Sequence, residues 1–166
     1  RINQATGGLA TSIAGVETLV DDPPPDLHIL DVGTGDGSFL QRALGWGTQH
    51  AIDIRATGIE MRAPVVAWLR RQFRSDSSVT IRRQNFFDIS ASQLNDVDIV
   101  HASLVLHHFS DEKVSAALRK MADIANIGVV VNDLHRHVLA HLGSHVLVRL
   151  LTRDDMANRT RYLNAR

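Results

Sequence analysis

The spacing of apolar and polar positions along the chain switches repeatedly between the period of a helix and that of a strand. Residues Ile2 to Val20 carry a loose helical pattern through Ile2, Leu9, Ile13, Val16 and Leu19 or Val20. Gly7, Gly8 and Gly15 weaken that helix, since glycine loses the most backbone freedom on ordering. The run Asp22-Pro23-Pro24-Pro25-Asp26 then breaks it, because proline has no N–H to donate and a fixed φ. This reads as a hinge between an N-terminal helical arm, residues 1–22, and a main body, residues 23–166.

Beyond the hinge, Leu27–Val32 is a short apolar run of the buried-strand kind. A glycine loop follows it, and then a helix over Ser38–Trp46. Ile52–Ile59 reads as a second strand, and Pro64–Phe73 as a helix whose proline sits in the first turn. Val79–Arg83 is a third strand and Val97–Val105 a fourth. Asp111–Ala125 is an amphipathic helix, Ile127–Asn132 a fifth strand, and His137–Leu151 a long, mostly apolar helix. Strands alternating with helices predict an α/β architecture with an open, doubly wound, mostly parallel sheet. In such sheets ligands lie beyond the carboxyl ends of the strands, near the point where strand order reverses.

Composition narrows the function classes. The 166 residues are 44% hydrophobic and 22% charged, with 18 basic residues balancing 18 acidic ones. No global field therefore draws the chain to nucleic acid or anionic lipid. The arginines at 70, 71, 74, 82 and 83 are not interleaved with aromatic residues, so base stacking is unsupported and a solvated rim is expected. With no cysteine, disulfides, thiolate metal sites and cysteine nucleophiles are excluded. No apolar run reaches the ~18 residues of a membrane span. A cytoplasmic location is expected.

The most specific chemistry lies in His28-Ile-Leu-Asp31-Val32-Gly33-Thr34-Gly35-Asp36-Gly37-Ser38-Phe39-Leu40, a buried strand, a G-x-G-x-G loop and a helix start. The glycines allow a tight turn and close approach of a ligand to the backbone. A dinucleotide site would read G-x-G-x-x-G, whereas here the third glycine comes one residue early. Asp36 also places a carboxylate at the helix N-terminus, where it would compete with a pyrophosphate. An acidic loop suits a ligand with a cationic end and no phosphate.

Asp31–Gly37 resembles motif I of the class I S-adenosylmethionine-dependent methyltransferases, whose cofactor combines adenosine, a sulfonium and an ammonium-bearing tail. The resemblance runs from about Leu27 to Asn132 and implies a Rossmann-like sheet. It implies that Gly33, Thr34, Gly35 and Gly37 admit the methionine part, with Asp31 binding its ammonium directly or through water. An acidic residue ending the second strand holds the ribose in this family. Asp53 and Glu60 both compete for that role, and Glu60 is preferred because Met61-Arg-Ala-Pro64 and a helix follow it directly. Asn85 stands where the family usually has the adenine-binding aspartate, its amide oxygen an acceptor without charge, and Phe86 follows as the apolar contact. Asp98-Ile-Val-His-Ala-Ser103-Leu-Val-Leu106-His107-His108 is similar to the segment of the ubiquinone- and menaquinone-type methyltransferases, making Ser103 and Leu104 cofactor contacts. That family adds two antiparallel strands after the fifth. Nothing after Leu151 reads as strands, so the sheet is expected to be truncated or incomplete at its C-terminus.

The implied reaction is methyl transfer to a small, apolar or aromatic acceptor, with a base drawn from His107, His108 and His135 where one is needed. Against this, one histidine of the pair 107–108 can simply cap the following helix. Asp133 is read either as a substrate-orienting residue or partner of Arg136, or as a helix N-cap or turn residue. His137, His141 and His145 share one helical face, but no carboxylate fits them, so no metal is assigned. The apolar surface of the 137–151 helix needs a partner, and a homodimer contact is one reading. A non-catalytic methyltransferase-like binding module, or a nicotinamide-dependent oxidoreductase on the same fold, are the competing functions.

Overall fold

The computed structural model describes residues 8–20, 24–90, 93–94 and 96–133. In chain order these form α1 (Gly8–Leu19), β1 (Asp26–Val32), α2 (Ser38–His50), β2 (Asp53–Glu60), α3 (Ala63–Gln72), β3 (Val79–Arg83), β4 (Ile99–Ser103), α4 (Asp111–Ile124) and β5 (Gly128–Asn132). Two single 3-10 turns lie over Phe86–Asp88 and Leu106–His108. The expected helix of the N-terminal segment is present over Gly8–Leu19, and Ile2 lies outside the described residues. The 137–151 helix, His135, and the histidines at 137, 141 and 145 also lie outside them.

All five strands are parallel, in the order β3-β2-β1-β4-β5. The chain returns to the centre after β3, so the order reverses between β1 and β4, where an open α/β sheet leaves a crevice at its carboxyl edge. Side chains alternate across each strand, so β1 feeds two cores. Leu27 and Ile29 meet Ile13, Val16, Phe39, Leu40, Val66 and Leu69 from α1, α2 and α3. Leu30 and Val32 join Val100, Ala117, Met121 and Ile124 in a second cluster under α4. With both faces covered, strands tolerate continuous apolar sequence, as in β5, where all five residues are buried.

Helix α1 is packed onto the sheet, with Ser12 and Val16 fully buried and Glu17 accepting from Trp46 Nε1 of α2 at 2.9 Å. Helix α4 buries Ala117, Met121 and Ile124 on one face and places Asp111 and Glu112 in its first turn, where the helix dipole favours acids. The fourth strand is shorter than Val97–Val105. It ends at Ser103 because Leu104 takes a left-handed φ of 53°, which no ladder accepts. Among the described residues, no helix is long and apolar enough to cross a membrane.

Candidate functional site

The loop after β1 is held to the sheet by its own backbone. The N–H groups of Gly33 and Thr34 both donate to Ile59 O of β2, at 2.9 and 3.0 Å, and Thr34 Oγ1 donates to Asp31 O at 3.0 Å. Gly33, Gly35 and Gly37 have φ of 72°, 57° and 70°, so the loop is built from left-handed residues that only glycine adopts freely. Gly37, expected beside the cofactor's methionine part, does not line the cavity described below. It begins α2, packed so closely on Leu69 and Phe73 that a Cβ would come within 2.8 and 2.9 Å of them. Asp36 Oδ1 accepts from Ser38 N–H at 3.1 Å. Partial burial pulls the Asp36 carboxyl upward, but hydrogen bonds from the Ser38 hydroxyl and N–H outweigh this and leave it below the ordinary range.

Glu60 closes β2 at the carboxyl edge, buried, with Oε1 accepting from Arg62 N–H and Nε and Oε2 from the guanidinium at 2.9 Å. Burial raises its carboxyl, yet the Arg62 hydrogen bonds and charge prevail and hold it below the usual carboxylate range. Asp53 opens the same strand at the other edge, about 23 Å away at the usual rise per strand residue. There it borders a separate hollow with Asp26 and Asp76, so the two acids are separated by the sheet itself. Met61, 60% exposed, stands beside Glu60 at the cavity wall.

Asn85 follows β3, but its Oδ1 turns back to accept from Phe87 N–H at 3.1 Å, capping the first 3-10 turn. Phe86 is buried at the cavity wall, while Phe87 packs edge-on against Phe109, with centroids 5.4 Å apart. Lys120 of α4 donates to Phe87 O at 2.8 Å and lies 5.2 Å from the Phe86 ring centroid, pinning this turn from behind.

After β4, the second 3-10 turn is anchored by Asp133, the residue that follows β5. Its Oδ2 accepts from the N–H groups of Val105, Leu106 and His107, and its Oδ1 lies 2.5 Å from His107 Nδ1. Asp133 is thus a cap for a turn on another strand, a role a single sequence does not reveal. The neighbouring histidines divide. His108 lines the cavity, whereas His107 does not; its ring is held by Asp133 and lies 4.0 Å from that of His108.

A buried polar chain runs beneath the β1–β4 crevice. Asp31, 2% exposed, pairs in register with His101, and Asp31 Oδ1 lies 2.7 Å from His101 Nδ1. His101 Nε2 is 3.0 Å from Ser12 Oγ of α1. Asn132 Nδ2, at the end of β5, donates to Ser12 Oγ and to Gly8 O. His101 stacks on Phe39 with centroids 3.4 Å apart. The sequence reading gave His101 no role. Its one signal is a histidine in the otherwise apolar stretch Ile99-Val100-His101-Ala102.

These pieces enclose a cavity of about 990 Å³. One end carries Asp31, Gly33, Thr34, Gly35, Phe39 and His101, the other Glu60, Met61, Arg62, Asn85 and Phe86. Ser103, Leu104, Val105, His108 and Phe109 complete its wall. Among the described residues, no three histidine or carboxylate side chains gather as metal ligands.

A five-stranded parallel sheet with a glycine loop, a buried glutamate at its carboxyl edge and a cavity over the strand-order reversal defines an open, doubly wound α/β domain. The family described as "Methyltransferase domain" matches residues 29–128, more than half of the chain. The chain belongs to that family. Among solved structures, it is similar to magnesium protoporphyrin IX methyltransferase from Synechocystis PCC 6803 with bound SAM (TM-score 0.60, 19% identity, 80% of this chain and 61% of that one). It is also similar to a sugar N-methyltransferase from Streptoalloteichus sp. ATCC 53650 (TM-score 0.61, 20% identity, covering 82% and 52%). A third likeness is to the plantazolicin methyltransferase in complex with SAH (TM-score 0.62, 19% identity, covering 81% and 49%). The chain spans between about half and three fifths of the length of these three structures, 49% to 61%. No curated protein matches it.

Proposed function

We propose that the chain binds S-adenosylmethionine in the β1–β4 crevice and transfers its methyl group to a small, apolar or aromatic acceptor. The observation that carries this reading is the single cavity that joins Asp31 and the glycine loop, Glu60, and the Asn85–Phe86 turn to an apolar wall ending in His108. The lining suits the cofactor's parts. Carboxylates stand at the loop, where a phosphate ligand would be repelled and an ammonium welcomed. When bound, S-adenosylmethionine supplies a methyl group activated by a sulfonium.

The chain's own residues then have defined tasks. Asp31 accepts the ammonium, and the open space beside Gly35 lets the tail approach the backbone. Glu60 accepts the ribose hydroxyls, sharing its oxygens with Arg62 or releasing that side chain toward solvent. With Asn85 Oδ1 engaged by Phe87, the amide Nδ2 is the group left to address an adenine ring nitrogen, and Phe86 and Met61 supply apolar contact. Leu104, Val105 and Phe109 exclude water around the reacting groups, so alignment and desolvation are the main contributions to rate. For an acceptor that must lose a proton, His108 at the wall is the base, with His107 and Asp133 fixing the turn behind it. Ser103 lies at the same wall, and His135 remains a third candidate.

Calorimetric titration with S-adenosylmethionine and with S-adenosylhomocysteine tests the reading. Wild type should bind both, and Asp31→Ala and Glu60→Ala should each weaken binding about 10- to 100-fold, as expected for lost charged hydrogen bonds. Absence of wild-type binding, or unchanged affinity in both variants, would sink it. Transfer of a labelled methyl group into a cell-extract metabolite pool separates an enzyme from a binding module and identifies the acceptor class.

A further inference from the structure

We infer that His101 is a positioning residue for Asp31, held in place by Ser12 and Asn132, so that docking of α1 and binding of the cofactor's amino-acid end form one coupled event. The inference rests on the cofactor reading above and goes beyond it by adding an element, α1, whose polar link to the cavity is this chain of side chains.

The argument begins with burial. Asp31, His101, Ser12 and Asn132 are at most 5% exposed, and polar groups so deep are tolerated only when hydrogen-bonded. Among the described residues, every buried side-chain polar atom has a partner. The order of donors follows from the chemistry of the groups. Asn132 Nδ2 donates to Ser12 Oγ, which leaves the hydroxyl proton for His101 Nε2 and the imidazole proton on Nδ1, facing Asp31. Phe39 covers one face of the ring at a 13° interplanar angle, which prevents the imidazole from turning. One oxygen of Asp31 is therefore fixed, and the carboxylate is offered to the ligand in a single orientation.

The connectivity Ser12–His101–Asp31 is that of a nucleophile, base and acid triad. Ser12, however, is 0% exposed, and only Asp31 and His101 line the cavity. The hydroxyl is an anchor, not a nucleophile. Removing it leaves Nε2 as a buried acceptor without a donor. The imidazole proton stays on Nδ1, where Asp31 accepts it, but the ring loses its tie to α1 and Asn132 Nδ2 loses one of its two acceptors, so the orientation in which Asp31 is held slackens. The adenosine half, held by β2 and β3, does not feel this change. Coupling of this kind is reciprocal, so occupation of the Asp31 site tightens α1 onto the sheet.

The test uses two ligands that differ in the tail: S-adenosylhomocysteine, and 5′-methylthioadenosine, which lacks the amino-acid end. Wild type, Ser12→Ala, His101→Leu and His101→Asn are titrated with each. In Ser12→Ala and His101→Leu, S-adenosylhomocysteine should weaken about tenfold or more, the scale of a hydrogen bond serving a charged group. Binding of methylthioadenosine should stay within about twofold in the same variants. His101→Asn, which keeps an N–H toward Asp31, should recover part of the loss relative to His101→Leu. Equal weakening of both ligands, or no change in either, overturns the inference while leaving the cofactor reading standing. A wild type that binds neither ligand overturns both. Should a variant not fold, hydrogen exchange of the α1 amides in wild type decides. Exchange should slow with S-adenosylhomocysteine more than with methylthioadenosine at equal saturation, and equal exchange in the two complexes overturns the coupling.

Discussion

Gly33→Ala isolates how tightly the glycine loop is wedged against the turn after β4. Gly33 has φ +72°, and a Cβ there would lie 2.2 Å from Val105 Cγ2 and 3.3 Å from Val105 Cβ. Val105 cannot retreat easily, because its side chain is β-branched and its N–H is bonded to Asp133 at 3.0 Å. Gly35 provides the internal control, with φ +57° and only Gly33 O within reach, at 3.8 Å. For Gly35→Ala, about 1–2 kcal/mol of left-handed strain is partly offset by a less flexible unfolded chain, leaving about 1 kcal/mol. Gly33→Ala adds the overpacking cost of about 1–3 kcal/mol, for a total of about 2–4 kcal/mol. Urea unfolding of the three proteins, with S-adenosylhomocysteine titrations alongside, measures both stability and the cavity. Gly33→Ala should also weaken the ligand, since moving Val105 moves the wall. Equal destabilisation by the two alanines would refute the steric part of this account.

Two further expectations concern the neighbouring strands. His28 is half-buried on β1, between Asp96 O and Thr57 Oγ1. Burial is the main cause that lowers its pKa, helped by Arg55 and Arg82 and opposed by the Asp96 carbonyl and Asp98. The unfolded chain therefore takes up a proton near pH ~6.5 that the folded protein refuses, so this contribution is complete above that pH. It declines as pH falls toward the lower folded value, and His28→Asn should show a shallower loss of urea midpoint between pH 7.5 and 5.5. An identical slope in the variant would count against it. At Leu104, φ +53° predicts that Leu104→Val costs about 1–2 kcal/mol in unfolding free energy while Leu104→Gly stays within about 1 kcal/mol. Comparable losses in both would show that the backbone is not strained there.

What could be read from the sequence was local. The strand, glycine loop and helix start of residues 27–40 announce themselves through period and through glycines that need left-handed angles. Glu60, preferred to Asp53 because a helix follows it at once, ends β2 at the carboxyl edge, whereas Asp53 begins the strand. The features that escaped are those made by distant residues. Asp31 and His101 are 70 positions apart, and Ser12 and Asn132 120 apart, so no window of sequence contains their contact. The division of labour between His107 and His108 depends on the turn that Asp133 organises across 26 residues. Asn85 is expected from sequence to offer its amide oxygen to adenine, but that oxygen accepts from Phe87 N–H, two residues on. The early end of β4 follows from a left-handed leucine, a conformation its residue type does not advertise.

The distribution of buried polar side chains ties these observations to function. Among the described residues they are Ser12, Asp31, Thr34, Thr57, Glu60, His101 and Asn132. Asp31, Glu60 and Asn132 occupy the last or next-to-last position of a strand, and Thr34 lies in the loop that follows β1. The opposite half of the sheet is packed with Leu27, Ile29, Ile54 and Ile99 instead. An apolar set of the same shape at the carboxyl edge would fold at least as well, since buried polar networks seldom add net stability over well-packed hydrocarbon. Stability therefore gives no reason for an aspartate–histidine pair under the glycine loop or for a buried glutamate at the end of β2. The proposed ligand, with a cationic tail and a ribose, would, because each of these carboxylates would then meet a group that water must otherwise solvate. On the proposed reading the polar edge serves binding, while the apolar half of the sheet holds it still.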